Sequence, residues 1–114
     1  MPSIVYRFAG PTTQITVSTT ASADTSITAN PGEQSNFAAF LNTGPTLTAV
    51  AIHPIDPDPV IFPTDGNPQN LFILGANMQQ PEIVAVPANQ FTMSAITNSS
   101  VSPVLYITPV VVQS

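Results

Sequence analysis

The sequence predicts an all-β protein folded as an antiparallel β-sandwich, of which a jelly roll is one form. Three observations predict it. Segments rich in β-branched and aromatic residues are short and recur between turn residues. Several of them alternate apolar and polar residues, the period of a strand with one buried face. No window of about 11 residues carries apolar side chains at helical spacing. The expectation is roughly eight to ten short strands in a single domain spanning residues 1–114, a length ordinary for one domain.

Residues 3–9 form the first expected strand, closed by Gly10-Pro11. Residues 13–19 form the second, where Ile15 and Val17 alternate with Gln14, Thr16 and Ser18. Residues 25–29 end at the turn Asn30-Pro31-Gly32. Residues 36–42 place Phe37, Ala39 and Leu41 on one face and Ala38 and Phe40 on the other. A strand apolar on both faces reads as internal or covered by a partner. Ala38-Ala39-Phe40 suits a helix start, but Gly44-Pro45 ends it too soon. Residues 47–52 follow, again apolar on both faces at their end.

The stretch 53–68 holds Pro54, Pro57, Pro59, Pro63 and Pro68 with Asp65-Gly66. Proline gives no N–H to a ladder, so this reads as extended loop with a brief edge strand at 60–62. Strands are expected at 70–74, 82–86, 90–97 and 104–112, with Asn98-Ser99-Ser100 as a turn between the last two. The final segment is the most apolar and carries Pro109 near its middle. Periodicity does not set the strand order.

Charge is the most unusual feature. Only 6% of residues are charged, against about 25% in an average soluble domain. Arg7 is the sole arginine, lysine is absent, and the acids are Asp24, Glu33, Asp56, Asp58, Asp65 and Glu82, for a net charge of −5. Such a chain cannot neutralise a run of phosphates, so no nucleic-acid partner is expected. No docking on anionic lipid is expected either. No apolar run approaches the ~20 residues of a membrane span, and Met1 to Arg7 lacks the layout of a signal peptide. With 43% apolar residues the composition is not that of a disordered chain.

The candidates for chemistry are few. There is no cysteine, hence no disulfide, thiol nucleophile or thiolate metal site. His53 is the only histidine, and no Gly-x-Ser-x-Gly elbow accompanies it. Pro54 and Pro57 hold it in an extended stretch beside Asp56, and it reads as a histidine at a loop entrance. Asp56, Asp58 and Asp65 cluster, but Asp56-Pro57-Asp58-Pro59 is too stiff for a calcium loop and no closing glutamate follows. Nothing sets two acids across a cleft as a glycosidase requires. Asn98-Ser99-Ser100 fits the glycosylation pattern and reads as a hairpin turn. No catalytic residue, metal or cofactor is expected. The lone Arg7 should meet a carboxylate, within the fold or across an interface.

Sheet proteins guard their edges, most often with lysine, and this chain has none. Prolines blunt some edges, but residues 37–41 and 104–112 carry no guarding charge. Partner subunits covering these edges and faces, by strand addition or in a symmetric homo-oligomer, explain that economically.

The phrases Phe37-Ala38-Ala39-Phe40-Leu41-Asn42-Thr43-Gly44, Phe91-Thr92-Met93-Ser94-Ala95-Ile96-Thr97 and Leu105-Tyr106-Ile107-Thr108-Pro109-Val110 resemble small decoration (cement) proteins of tailed-phage capsids. The resemblance is one of style and size over most of the chain and includes no diagnostic motif. It implies a β-rich subunit on the outer surface of the virion capsid. There it would clamp neighbouring copies of the major capsid protein, as a dimer or trimer, with no catalytic residues. No capsid-binding arm is recognisable. Candidate contact residues are Ile4, Tyr6, Arg7 and Phe8 in the first strand. Ile55, Asp56, Asp58, Val60 and Phe62 join them from the proline-rich stretch, and Leu105, Ile107 and Val111 from the last strand. The rival expectation is a carbohydrate- or receptor-binding sandwich of a tail or fibre. An enzyme has the least support.

Overall fold

Nine strands form where β-branched runs meet turn residues: β1 (Val5–Phe8), β2 (Thr13–Thr16), β3 (Thr25–Thr28), β4 (Phe37–Asn42), β5 (Thr48–Ile52), β6 (Phe72–Leu74), β7 (Glu82–Ala85), β8 (Gln90–Ile96) and β9 (Val104–Gln113). They are seen in a computed structural model that describes residues 5–22, 25–52 and 60–113. No helix occurs among the described residues, and each strand lies within a segment predicted from sequence, except that β9 runs one residue further, to Gln113. The strand expected at 60–62 is absent. Pro59 and Pro63 bracket it and remove ladder donors. A tight turn follows instead, in which the Asn67 N–H donates to the Thr64 carbonyl at 2.9 Å. Gly66 takes φ +75°, a value glycine reaches without a Cβ clash.

The strands form two antiparallel sheets. The large sheet has five strands in the order β1-β9-β4-β7 with β2 also on β9; the small sheet has four, β3-β8-β5-β6. β1 and β2 act as one rank, lying end to end along β9 at Val110–Gln113 and Val104–Ile107. Counted that way, each early strand pairs with its counterpart from the other end: β1 and β2 with β9, β3 with β8, β4 with β7, β5 with β6. The chain is one long hairpin with its tip between β5 and β6. It is rolled up until β9 meets β4 and β8 meets β5. That wrapping is a jelly roll.

Pro109 sits inside the central strand β9, where a proline would normally break the ladder. Its carbonyl accepts from the Ala9 N–H at 2.7 Å, and the N and C=O of one strand residue point to the same side. The missing donor therefore faces the break between β1 and β2, and pairing with β4 is intact.

The core lies between the sheets and includes Val17, Ile27, Ala38, Phe40, Val50, Leu74, Phe91, Met93, Leu105 and Ile107. Phe40 of the large sheet meets Phe72 of the small one edge to face, with ring centroids 5.4 Å apart, a favoured aromatic geometry. Asn42 is fully buried, and its amide donates to the carbonyls of Thr46 and Gly75, each at 2.9 Å. It ties the β4–β5 and β6–β7 connections together at one end of the sandwich. A Cβ on Gly44 in the first of these connections would overlap Pro103.

Candidate functional site

Along a strand, successive side chains point to opposite faces, so the register fixes what each face of the large sheet presents. On β9, Leu105 and Ile107 enter the core; Tyr106, Thr108, Val110 and Val112 face outward. Their register partners continue the outer face: Tyr6 and Phe8 on β1, Gln14 on β2, Phe37, Ala39 and Leu41 on β4, and Ile83 and Ala85 on β7. None of these side chains is charged.

The face has relief. Phe8 stands out, 73% exposed, and Val112 is 47% exposed. Tyr6 packs edge-on against Phe37, centroids 5.9 Å apart. Beside them lies a groove of about 390 Å³ lined by Thr12, Ala39, Leu41, Pro81, Tyr106 and Thr108. The hydroxyls of Thr12 and Thr108 are 2.7 Å apart, and the Gln14 amide donates to the Tyr106 hydroxyl at 3.3 Å. These polar tips bond to one another and form a rim. The groove holds no base, acid or activated nucleophile, so it can bind by shape and apolar contact.

A second groove, of about 420 Å³, opens between the edge strands β6 and β7. It is lined by Phe72, Ile73, Leu74, Gly75, Met78, Glu82 and Val84. Glu82 is the sole ionisable group there. Among the described residues no three His, Cys, Asp or Glu side chains come together as metal ligands.

Of the predicted contact residues, Tyr6 and Phe8 lie on the outer face. Arg7 faces the other way. Its Nη1 is 2.9 Å from Glu33 Oε2, a charge contact without hydrogen-bond alignment, since that oxygen has no hydrogen-bond partner. The expected arginine–carboxylate pair thus forms within the fold and ties β1 to the connection after β3. Val60 and Phe62 are half-buried in the long connection between β5 and β6. Ile4, Ile55, Asp56, Asp58 and His53 lie outside the described residues.

Leu105, Ile107 and Val111 require correction as contact residues. Leu105 and Ile107 are 0% exposed, and Val111 is 9% exposed. The outward set on β9 is the alternate one. With both faces of β9 apolar, periodicity alone does not choose between them. The signal lay in Tyr106 and Thr108, whose polar tips suit the open side. Ala39, Leu41 and Phe37 were legible as one face of a strand apolar on both sides, but not as members of one surface with Tyr106 and Phe8. Strand pairing makes that surface.

Comparison of the chain with protein-family models, curated proteins and solved structures finds no match.

Proposed function

We propose that the protein is a structural assembly subunit, a decoration or cement protein on the outer surface of a tailed-phage head. It stabilises the shell of major capsid protein by non-covalent cross-bridging. The observation that carries this reading is the uncharged outer face of the large sheet, with Phe8 and Val112 exposed beside an apolar groove. Exposed apolar side chains gathered on one face are a mark of protein contact sites. The reading is of a binding protein rather than an enzyme, because the groove beside that face is lined by apolar and hydroxyl side chains. Jelly rolls occur in viral capsid domains, a support by fold analogy alone. Affinity per copy can be modest, because a repeating lattice raises effective concentration.

The test is to add purified protein to mature undecorated shells and measure binding and rupture temperature. Binding with a higher rupture temperature is the expected result. Absence of binding overturns the reading, and binding without stabilisation replaces cementing with display. A second reading, a carbohydrate-binding module of a tail or fibre, draws on Tyr106 and the paired Thr12 and Thr108 hydroxyls around the groove. Lectin domains also use jelly rolls. A glycan array without hits removes it.

A further inference from the structure

The edges of both sheets offer little to a partner. β3, β6 and β7 are three or four residues long, and Pro81 and Pro87 bracket β7. Short, proline-flanked edges resist strand addition. The opposite edge of the large sheet is broken between β1 and β2. Association must therefore use a face.

The outer face of the large sheet carries both a projection and a recess. Phe8, 73% exposed, sits level with Val110 on β9. The groove lies further along, walled by Tyr106, Thr108, Ala39 and Leu41. The two are about 10 Å apart at strand spacing. A projection and recess on different faces would build an open chain of subunits. On one face they can satisfy each other reciprocally about a two-fold axis and close.

Charge permits the same occupant at this face more readily than elsewhere. Two copies, each with a net charge of −5, repel over most of their surfaces. This face brings no like charge to the contact. Its size fits a weak, reversible dimer. The ranks hold eight, ten, six and four residues and cover about 450 Å², or about 900 Å² for two copies, the range of a transient interface.

We propose that this face packs against the same face of a second copy, Phe8 of each chain entering the groove of the other about a two-fold axis near Thr108. The proposal rests on the reading of the chain as an assembly subunit and names the first partner of its apolar face. Stacked sheets would lie about 10 Å apart, as in the interior of a sandwich. The dimer would present every other surface twice, including exposed Leu47, Ile61, Ile73 and Val101. One dimer could then span two shell subunits.

Light scattering across a dilution series tests it on the full chain. The expected mass is twice the 11.9 kDa of one chain. Phe8→Asp, at an exposed site, should keep the fold by circular dichroism and weaken the dimer about hundred-fold, as for a central interface anchor. Ala39→Lys, which places a cation in the groove, should weaken it alike; Thr12→Lys on the groove rim replaces it if Ala39→Lys unfolds. Mixing the two variants should restore a dimer, because the introduced carboxylate of one chain then meets the introduced lysine of the other while the second Phe8 enters an unaltered groove. A wild-type mass of one chain at every concentration overturns the proposal. So does a dimer indifferent to Phe8→Asp, or a mixture of variants that stays monomeric. Shell binding by a monomer would sink the dimer and keep the cement reading; a dimer that ignores shells would do the reverse.

Discussion

The outer faces of the two sheets differ in a way their sequences barely announce. On the large sheet the outward side chains are uncharged and mostly aromatic or aliphatic, and Phe8 and Val112 stand open. On the small sheet the register turns Ala49, Ala51, Ser94 and Ile96 outward, yet these are 0%, 5%, 1% and 7% exposed. Only one chain is present, so the chain covers them itself. The segment after β2 also protects β8, running along its edge beyond β3. Thr97 N–H donates to Ser18 O and Ser22 N–H to Ala95 O, each at 3.0 Å. The Ser94 hydroxyl donates to Ser22 O at 2.6 Å. One face is finished by the fold; the other keeps Phe8 and Val112 open to solvent. Apolar residues out of the core therefore have two distinct meanings, and only the tertiary structure separates them.

The sharpest way to break that contrast is to place the same charge on each face. Ile96→Asp should cost about 4 kcal/mol or more, because a buried carboxylate there has no partner. Phe8→Asp should cost the single chain less than about 0.5 kcal/mol. Urea denaturation of dilute protein measures both, and equal losses would mean the two faces are not different in kind. A smaller effect tests how the segment after β2 is held on β8. Ser94→Ala removes the bond to Ser22 O and should lose about 1–2 kcal/mol, with faster amide exchange at Ser22 and Ala95 by NMR. Unchanged exchange would show that the segment is held by other contacts. The smallest effect concerns the interior. The Thr48 hydroxyl is buried and has no hydrogen-bond partner. Thr48→Val should be neutral or stabilise by up to about 1 kcal/mol, since it discards an unsatisfied group at nearly constant shape. A loss above that range would mean the hydroxyl has a partner, such as a buried water.

The strands were legible in the sequence because turn residues punctuate them: Gly10-Pro11, Asn30-Pro31-Gly32, Gly44-Pro45 and Asn98-Ser99-Ser100 each fall between elements. The strand expected at 60–62 does not form, because the flanking Pro59 and Pro63 remove ladder donors over so short a segment. The rolled order was not legible, because Val5 and Gln113 carry no local sign that they are partners. The candidate site was half legible. Tyr6 and Phe8 do lie on the outer face, whereas the residues expected from β9 point into the core. A strand apolar on both faces hides which face is the core until its neighbours are known. Arg7 was legible as one half of an ion pair, though Glu33 as the other half needed the turn after β3 to bring it near.

The place of β9 has a consequence for how the protein is made. β9 lies between the β1–β2 rank and β4, and ribosomes deliver all three of those strands before it. Until β9 emerges, β1 and β2 have no neighbour in their sheet, and β4 has only β7. The small sheet waits in the same way, since β3 has no neighbour before β8, but β8 precedes β9 and joins β3 to the β5–β6 pair first. Synthesis should therefore run through a stage in which one sheet is assembled and the other waits for its middle strand. Ends that must meet across most of the chain also make for slow closure. During that wait the apolar strands of the unfinished sheet are open to other chains, and a nascent subunit would be at its most aggregation-prone just before Val104 appears.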